Sequence, residues 1–307
     1  MPRSVPFRVL AFLVALTSAG IARQQAPRPV SNGELPVVSP DGKRIAFLSN
    51  RGGAQDLFIV AADGTGETRL TNTPEEEGNP GWTTDGKRVL FSVFANDASR
   101  LYSIDLEGKN LREIATVPGR GLALSPDGKR LVYMAGGWTA MRLMLSSPDG
   151  SNAKQINDGT SIAWNVHWSP DGKRLAFTGR PPDSTDGLAV FVMNADGSGR
   201  RQVTHFAPTE GRAQWPVWSP DGRELAIQVN DLEAHSCHIG IVNAATGDAR
   251  KLAPHTEPYL DETPFWFPDG KRIAFQSNRT GRMEVWVMNT DSSGQRQITG
   301  MNQLQRK

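Results

Sequence analysis

A six-residue turn, copied six times, constrains this chain more than anything else in it. Ser169-Pro170-Asp171-Gly172-Lys173-Arg174 has counterparts at Ser39 to Arg44, Thr83 to Arg88 (with Thr84 in the proline position), Ser125 to Arg130, Ser219 to Glu224 and Phe267 to Arg272. Proline presets φ at about −65° for the first corner, aspartate caps a backbone N–H just ahead, and glycine supplies the positive φ that closes a hairpin. Asp-Gly between hydrophobic runs is a strong hairpin signal. The aspartates therefore read as turn formers, not as paired catalytic carboxylates. The Lys-Arg that usually follows is expected to keep the hairpin soluble at an outer rim.

The repeat aspartates, Asp41, Asp85, Asp127, Asp171, Asp221 and Asp269, lie 44, 42, 44, 50 and 48 residues apart. A period of about 40–50 residues with several strands per unit marks a propeller. Each unit opens with a strand ending three residues before its aspartate, at Val38, Trp82, Leu124, Trp168, Trp218 or Trp266. That large residue is expected to pack blade against blade. After the turn comes an apolar second strand, such as Ile45-Ala46-Phe47-Leu48, then a third (Leu57 to Val60, Ala189 to Met193, Val285 to Met288). A short outer strand follows, as in Gln202-Val203-Thr204. No segment carries a helical period. The predicted fold is all-β: a six-bladed β-propeller with four antiparallel strands per blade over residues 33–307. The first and last units each hold four strands, so the ring is expected to close by packing rather than strand exchange.

Residues 1–22 read as an export signal: Arg3 and Arg8, then the apolar run Val9 to Leu16, then Gly20-Ile21-Ala22 as a small-residue cleavage site. The apolar run is too short for a membrane span, and residues 23–32 form a polar lead-in. The chain carries 34 basic and 32 acidic residues, so losing Arg3 and Arg8 leaves a neutral mature protein. That balance argues against nucleic acid or anionic membrane as the main partner. Cys237 is the only cysteine, which excludes an intramolecular disulfide.

On a rigid closed scaffold, function belongs to the loops opposite the Asp-Gly turns. The candidate binding residues there are Glu77, Arg120, Trp138, Trp164, Asn165, Arg180, Arg212, Gln214, Trp215, Tyr259, Asp261 and Glu262. Trp138, Trp164 and Trp215 stand outside the repeat tryptophan position, and aromatics beside arginine suit peptide, protein or sugar partners. Packing between blades is the competing reading for Trp164 and Trp215, and a solvated loop for Glu75 to Glu77. Alternation separates His235 and Cys237 from His238, so these three do not converge on one metal. A site from His205, His255 and Asp261 lacks any signature spacing. No Gly-x-Ser-x-Gly, Walker or dinucleotide loop occurs.

The run Trp-Ser-Pro-Asp-Gly-Lys-Arg-Leu-Ala-Phe resembles the WD40-like repeat of TolB-type propellers. In the last unit the likeness continues through Ser277-Asn278-Arg279-Thr280-Gly281, Val285-Trp286-Val287-Met288-Asn289 and Arg296-Gln297-Ile298-Thr299, and it covers about residues 33–300. The resemblance implies the scaffold, a cell-envelope location and protein binding. The α/β domain that precedes the blades in TolB has no expected counterpart here, nor has the hydrolase domain of prolyl-oligopeptidase-type peptidases. The expectation is thus an exported, monomeric, non-enzymatic propeller that needs no cofactor and binds an envelope protein or peptide on its loop face. The alternative is a metal-dependent propeller lyase or hydrolase acting on a carbohydrate or lactone.

Overall fold

The computed structural model describes residues 30–137, 141–157, 163–181, 187–205, 212–231, 235–252, 257 and 259–300. These form six sheets of four antiparallel strands, each built from consecutive strands. The blades span residues 34–69, 77–117, 120–155, 163–202, 212–252 and 261–297. Among the described residues there is no helix, and hence none able to cross a membrane.

The apolar second strands explain how the ring holds together. Ile45, Ala46, Phe47 and Leu48 are all fully buried, although successive side chains of a strand point to opposite faces. Both faces are covered because each blade has a neighbour on either side. Ala46 and Leu48 pack with Val89, Phe91 and Val93 of blade two. Ile45 and Phe47 pack with Phe267, Ala274, Val285 and Val287 of blade six. Fully burying such side chains stabilises the fold by about 1.5–3 kcal/mol each.

The seam between blades six and one is thus built like the others, and blades one and six each keep their own four strands. Polar contacts reinforce this seam. The amides of Asn32 and Gly33 donate to Met283 O at 2.9 and 3.1 Å. Asn32 Nδ2 donates to Glu284 Oε1 at 2.6 Å, and Arg296 Nη2 to Ala62 O at 2.6 Å. Ser31 and Asn32, read from sequence as polar lead-in, are buried parts of the clasp.

The repeated turns gather on one face. An added Cβ on Gly42 would lie 3.1 Å from Pro268, and Thr84 Oγ1 donates to Pro126 O at 3.0 Å. Within the turn, Ser169 Oγ donates to Asp171 Oδ1 at 2.5 Å and accepts from Arg174 N at 2.9 Å, while Lys173 N donates to Asp171 Oδ1 at 3.0 Å. The serine hydroxyl, not only the aspartate, closes the corner. The expected outer-rim role of the Lys-Arg pair is corrected, because the turns join the two inner strands of each blade. Arg174 reaches across to blade five, where Nη2 donates to Gly222 O at 2.9 Å and Cζ lies 4.4 Å from the Trp218 ring centroid. Turn carbonyl and indole face together give the guanidinium a seat.

Candidate functional site

Opposite the turns, every inner strand breaks register at the same level. Blade five shows the pattern: Gln214 pairs with Gln228 and Val217 with Ala226, so one extra residue is accommodated. The first displaced residue has positive φ in all six blades: Leu35 (50°), Asn79 (47°), Gly121 (64°), Asn165 (53°), Trp215 (54°) and Thr263 (49°). A bulge of this kind bends the strand and re-aims its side chains. Left-handed backbone is rare for bulky residues and for β-branched threonine, and costs of order 1–3 kcal/mol where it occurs. Cross-blade bonds hold it in place: Trp215 N donates to Thr178 Oγ1 at 3.1 Å, and Leu35 N to Gln276 Oε1 at 2.8 Å.

The residues just before the six bulges are Glu34, Gly78, Arg120, Trp164, Gln214 and Glu262, all half-buried. They make the mouth of the ring, and its chemistry changes from blade to blade. Four of them were candidates from sequence. Asn165 and Trp215 fall on the bulges themselves, and Glu77 and Asp261 one position before the mouth. Arg120 stacks 4.5 Å from the Phe94 ring centroid, and Trp164 packs on the core between blades three and four.

Blades five, six and one hold a connected polar cluster that the sequence reading reached only at Gln214 and Glu262. Glu262 Oε2 accepts from Gln276 Nε2 at 2.9 Å, and Glu262 Oε1 accepts from Gln228 Nε2 at 3.3 Å. The Cys237 thiol lies 3.7 Å from the same Oε1. Gln228 Nε2 also approaches Asn230 Oδ1 at 3.1 Å, to which Gln214 Nε2 donates at 3.2 Å. Glu34 accepts from Gln55 at 3.0 Å. Gln228 is 2 % exposed, and its Oε1 has no donor. Burial raises the Glu262 carboxyl above its ordinary range; the amide donors oppose that shift and the charge of Glu34 adds to it. Burial pushes the Cys237 thiol up to about 12, which keeps it protonated.

Other candidates are engaged in the framework. Glu77 is buried, not part of a solvated loop, although Glu75 and Glu76 are exposed. It accepts from Thr71 Oγ1 at 2.6 Å, and burial pushes it up to about 7. Asp261 is 1 % exposed and receives Arg279 Nη2 on both oxygens, at 2.8 and 2.6 Å. Arg279 in turn stacks beside Tyr259, its Cζ 4.8 Å from the ring centroid. Arg180 and Arg212 are half-buried near loop ends. Trp138 and His255 lie outside the described residues. His205 is exposed, and burial holds His167 down at about 4. Among the described residues no three His, Cys, Asp or Glu converge as metal ligands, the arrangement the lyase alternative needs. On the turn face, a shallow groove of about 450 Å³ is lined by Arg130, Asp171, Lys173, Asn194 and Asp196.

Fold and mouth together define a class: a six-bladed propeller, closed without strand exchange, with a chemically graded loop face. The chain belongs to the TolB beta propeller domain family (PD40), which matches residues 17–145 and 136–307. The uncharacterized protein Atu1656 of Agrobacterium fabrum is 26% identical over 220 residues, covering 67% of this chain and 75% of that protein. The uncharacterized peptidase YuxL of Bacillus subtilis is 31% identical over 174 residues, which is 54% of this chain and 25% of YuxL. Dipeptidyl-peptidase 5 of Porphyromonas endodontalis is 34% identical over 106 residues, 32% of this chain and 15% of that enzyme. Of solved structures, TolB from Acinetobacter baumannii aligns with a TM-score of 0.70 at 20% identity, over 86% of this chain and 65% of that one. Puromycin hydrolase aligns with a TM-score of 0.61 at 15% identity, over 90% of this chain and 54% of that one. Both structural likenesses show the fold alone. The chain spans a quarter or less of the two peptidase relatives.

The peptidase relatives overturn the non-enzymatic expectation. It rested on missing nucleophile motifs, and a scaffold hosts activities that no single motif reports.

Proposed function

We propose that this chain is a peptide-handling propeller whose mouth captures a segment of polypeptide after export directed by residues 1–22. One observation carries the reading: six half-buried mouth residues sit at one level, acidic and amide-rich on blades five, six and one, arginine and tryptophan on blades three and four. In a six-membered ring blade three faces blade six, so the two kinds of sector oppose each other. A peptide has charge, amide and apolar groups to meet both, and half-buried aromatic and arginine anchors are what interfaces favour. Two relatives whose names state an activity, YuxL and dipeptidyl-peptidase 5, are peptidases, which act on peptides.

The test uses the full mature chain and a synthetic peptide library. Captured peptides are identified by mass spectrometry, and the same incubations are searched for new peptide termini. Selective capture that is lost in Arg120→Ala and Trp164→Ala variants supports the mouth as the site, and new termini assign hydrolysis to this chain itself. A library passing through unretained and uncut overturns the reading. So does capture that both variants preserve.

A further inference from the structure

We propose that blade one is the gate of this ring: protonated Glu77 and Glu284 lock it between blades two and six, and their ionisation releases it. Among the described residues four carboxylates are buried, Asp56, Glu77, Asp261 and Glu284. Arg69 is paired with Asp56, and Arg279 with Asp261. Glu77 and Glu284 have no such cation among the described residues; their side-chain donors are hydroxyls and one amide. These two acids lie on the two seams that bound blade one.

Glu77 opens the inner strand of blade two. Its N–H donates to Gln55 O of blade one at 3.0 Å, and its carboxyl accepts from Thr71 Oγ1 at 2.6 Å and Thr73 Oγ1 at 3.3 Å. Glu284 opens the third strand of blade six. It accepts at 2.6 Å from Asn32 Nδ2, just before blade one, and at 2.6 Å from Thr299 Oγ1. The chain folds closely over it, since an added Cβ on Gly300 would lie 2.4 Å from its Oε1.

A carboxylate that loses its water and gains no cation favours the protonated form. Burial raises Glu77 to about 7 and lifts Glu284 above its ordinary range, against the pull of their hydroxyl and amide donors. The charges facing both acids come from blade one and are already balanced there. Glu77 faces Asp56, held by Arg69; Glu284 faces Glu67 and Arg51, paired at 2.5 Å. On the linker, Glu75 and Glu76 are exposed.

Both shifts are upward, so closed seams hold protons that opened seams release. The lock is complete below the ordinary value of 4.5 and is lost as pH rises through the folded value, about 7 for Glu77. No strand is exchanged between blades, so blade one can swing out without unpairing any sheet. Apolar packing keeps the closed ring the major form at either pH, and the two protons set how often it opens. Blade one carries Glu34 of the mouth, so its release widens the ring there. This gate does not depend on what the mouth binds.

Residue-resolved hydrogen exchange of the full mature chain, at pH 5 and pH 8 and divided by intrinsic rates, tests it. Leu57 N and Val285 N donate to Thr71 Oγ1 and Thr299 Oγ1, the hydroxyls that contact the two glutamates. Val190 N makes the same bond to Thr204 Oγ1 in blade four and is the internal reference. From pH 5 to pH 8, protection at Leu57 and Val285 should fall about tenfold or more relative to Val190. Glu77→Gln and Glu284→Gln, which mimic the protonated acids, should each remove the response at their own seam. Equal change at all three amides overturns the gate, as does a response at one seam only or one that the matching variant preserves. The comparison within the unsubstituted chain decides the matter even where a variant fails to fold.

Discussion

The indole Nε1 of Trp168 donates to the carbonyl oxygen of Ala123, 2.9 Å away across the seam between blades three and four. Trp82 and Trp266 make the same bond to Val37 and Val217, at 3.0 and 3.1 Å. At these three seams the repeat tryptophan ties an inner strand to the one before it. Trp218 occupies the same repeat position, yet its Nε1 is buried with no acceptor.

This contrast makes a matched pair. Trp168→Phe should lose a buried hydrogen bond and strand a carbonyl, while Trp218→Phe removes only packing. Urea denaturation should show the first more destabilising by about 1 kcal/mol. Equal losses would mean that the bond contributes nothing beyond shape.

Glu77 predicts a pH dependence. Its folded pKa is raised to about 7 by burial, from an ordinary 4.5, with Thr71 opposing the shift and nearby Asp56 adding to it. The folded state therefore holds this proton more tightly than the unfolded chain does. Its contribution is fully present below the unfolded value, falls as pH rises towards 7, and is flat beyond. The loss should be on the order of 2 kcal/mol. Glu77→Gln should flatten that part of the stability profile and be the more stable protein at pH 8. Parallel profiles for the two proteins would refute the assignment.

Gly197 tests the outer seam. Its φ is +95°, and an added Cβ would lie 2.1 Å from Ile156 O of the neighbouring blade. Gly53 also has positive φ (+116°), but with nothing within 4 Å. Gly53→Ala should cost about 1–2 kcal/mol from the backbone alone. Gly197→Ala should cost about 1–3 kcal/mol more from overlap with a main chain. A thermal melt of each variant decides it.

The clasp makes the seam between blades six and one the place to open the ring. Asn32→Ala removes the donor to Glu284, leaving that buried carboxyl with Thr299 as its remaining side-chain donor. The expected cost is about 1–3 kcal/mol. Hydrogen exchange should quicken first at the amides of Leu35 and Val285. Uniform acceleration around the ring would show that closure does not depend on this contact.

Much of the fold was legible because its signals are local. Pro-Asp-Gly, a tryptophan three residues before the aspartate and a wholly apolar second strand each declare themselves within a few residues. The site was legible only in part. Arg120, Trp164, Gln214 and Glu262 drew notice as polar or aromatic loop residues, whereas Gln228, Gln276 and Cys237 lie in strands that read as core. Glu77 looked solvated because it ends an acidic run, yet Thr71 and the blade seam bury it. The left-handed bulges at Leu35, Trp215 and Thr263 carry no glycine or asparagine to announce them.

By itself, then, the order of amino acids determined the number of blades, the chemistry of their corners and which strands are apolar on both faces. Those properties depend on neighbours along the chain and on a hydrophobic period. Only the tertiary structure decided how blades six and one are joined, where each inner strand slips its register, and which carboxylates lose water. Each of these depends on a partner some tens to hundreds of residues away: Gln276 for Leu35, Glu284 for Asn32, Thr178 for Trp215. Such pairs meet only once the ring has closed, and no local pattern encodes the meeting.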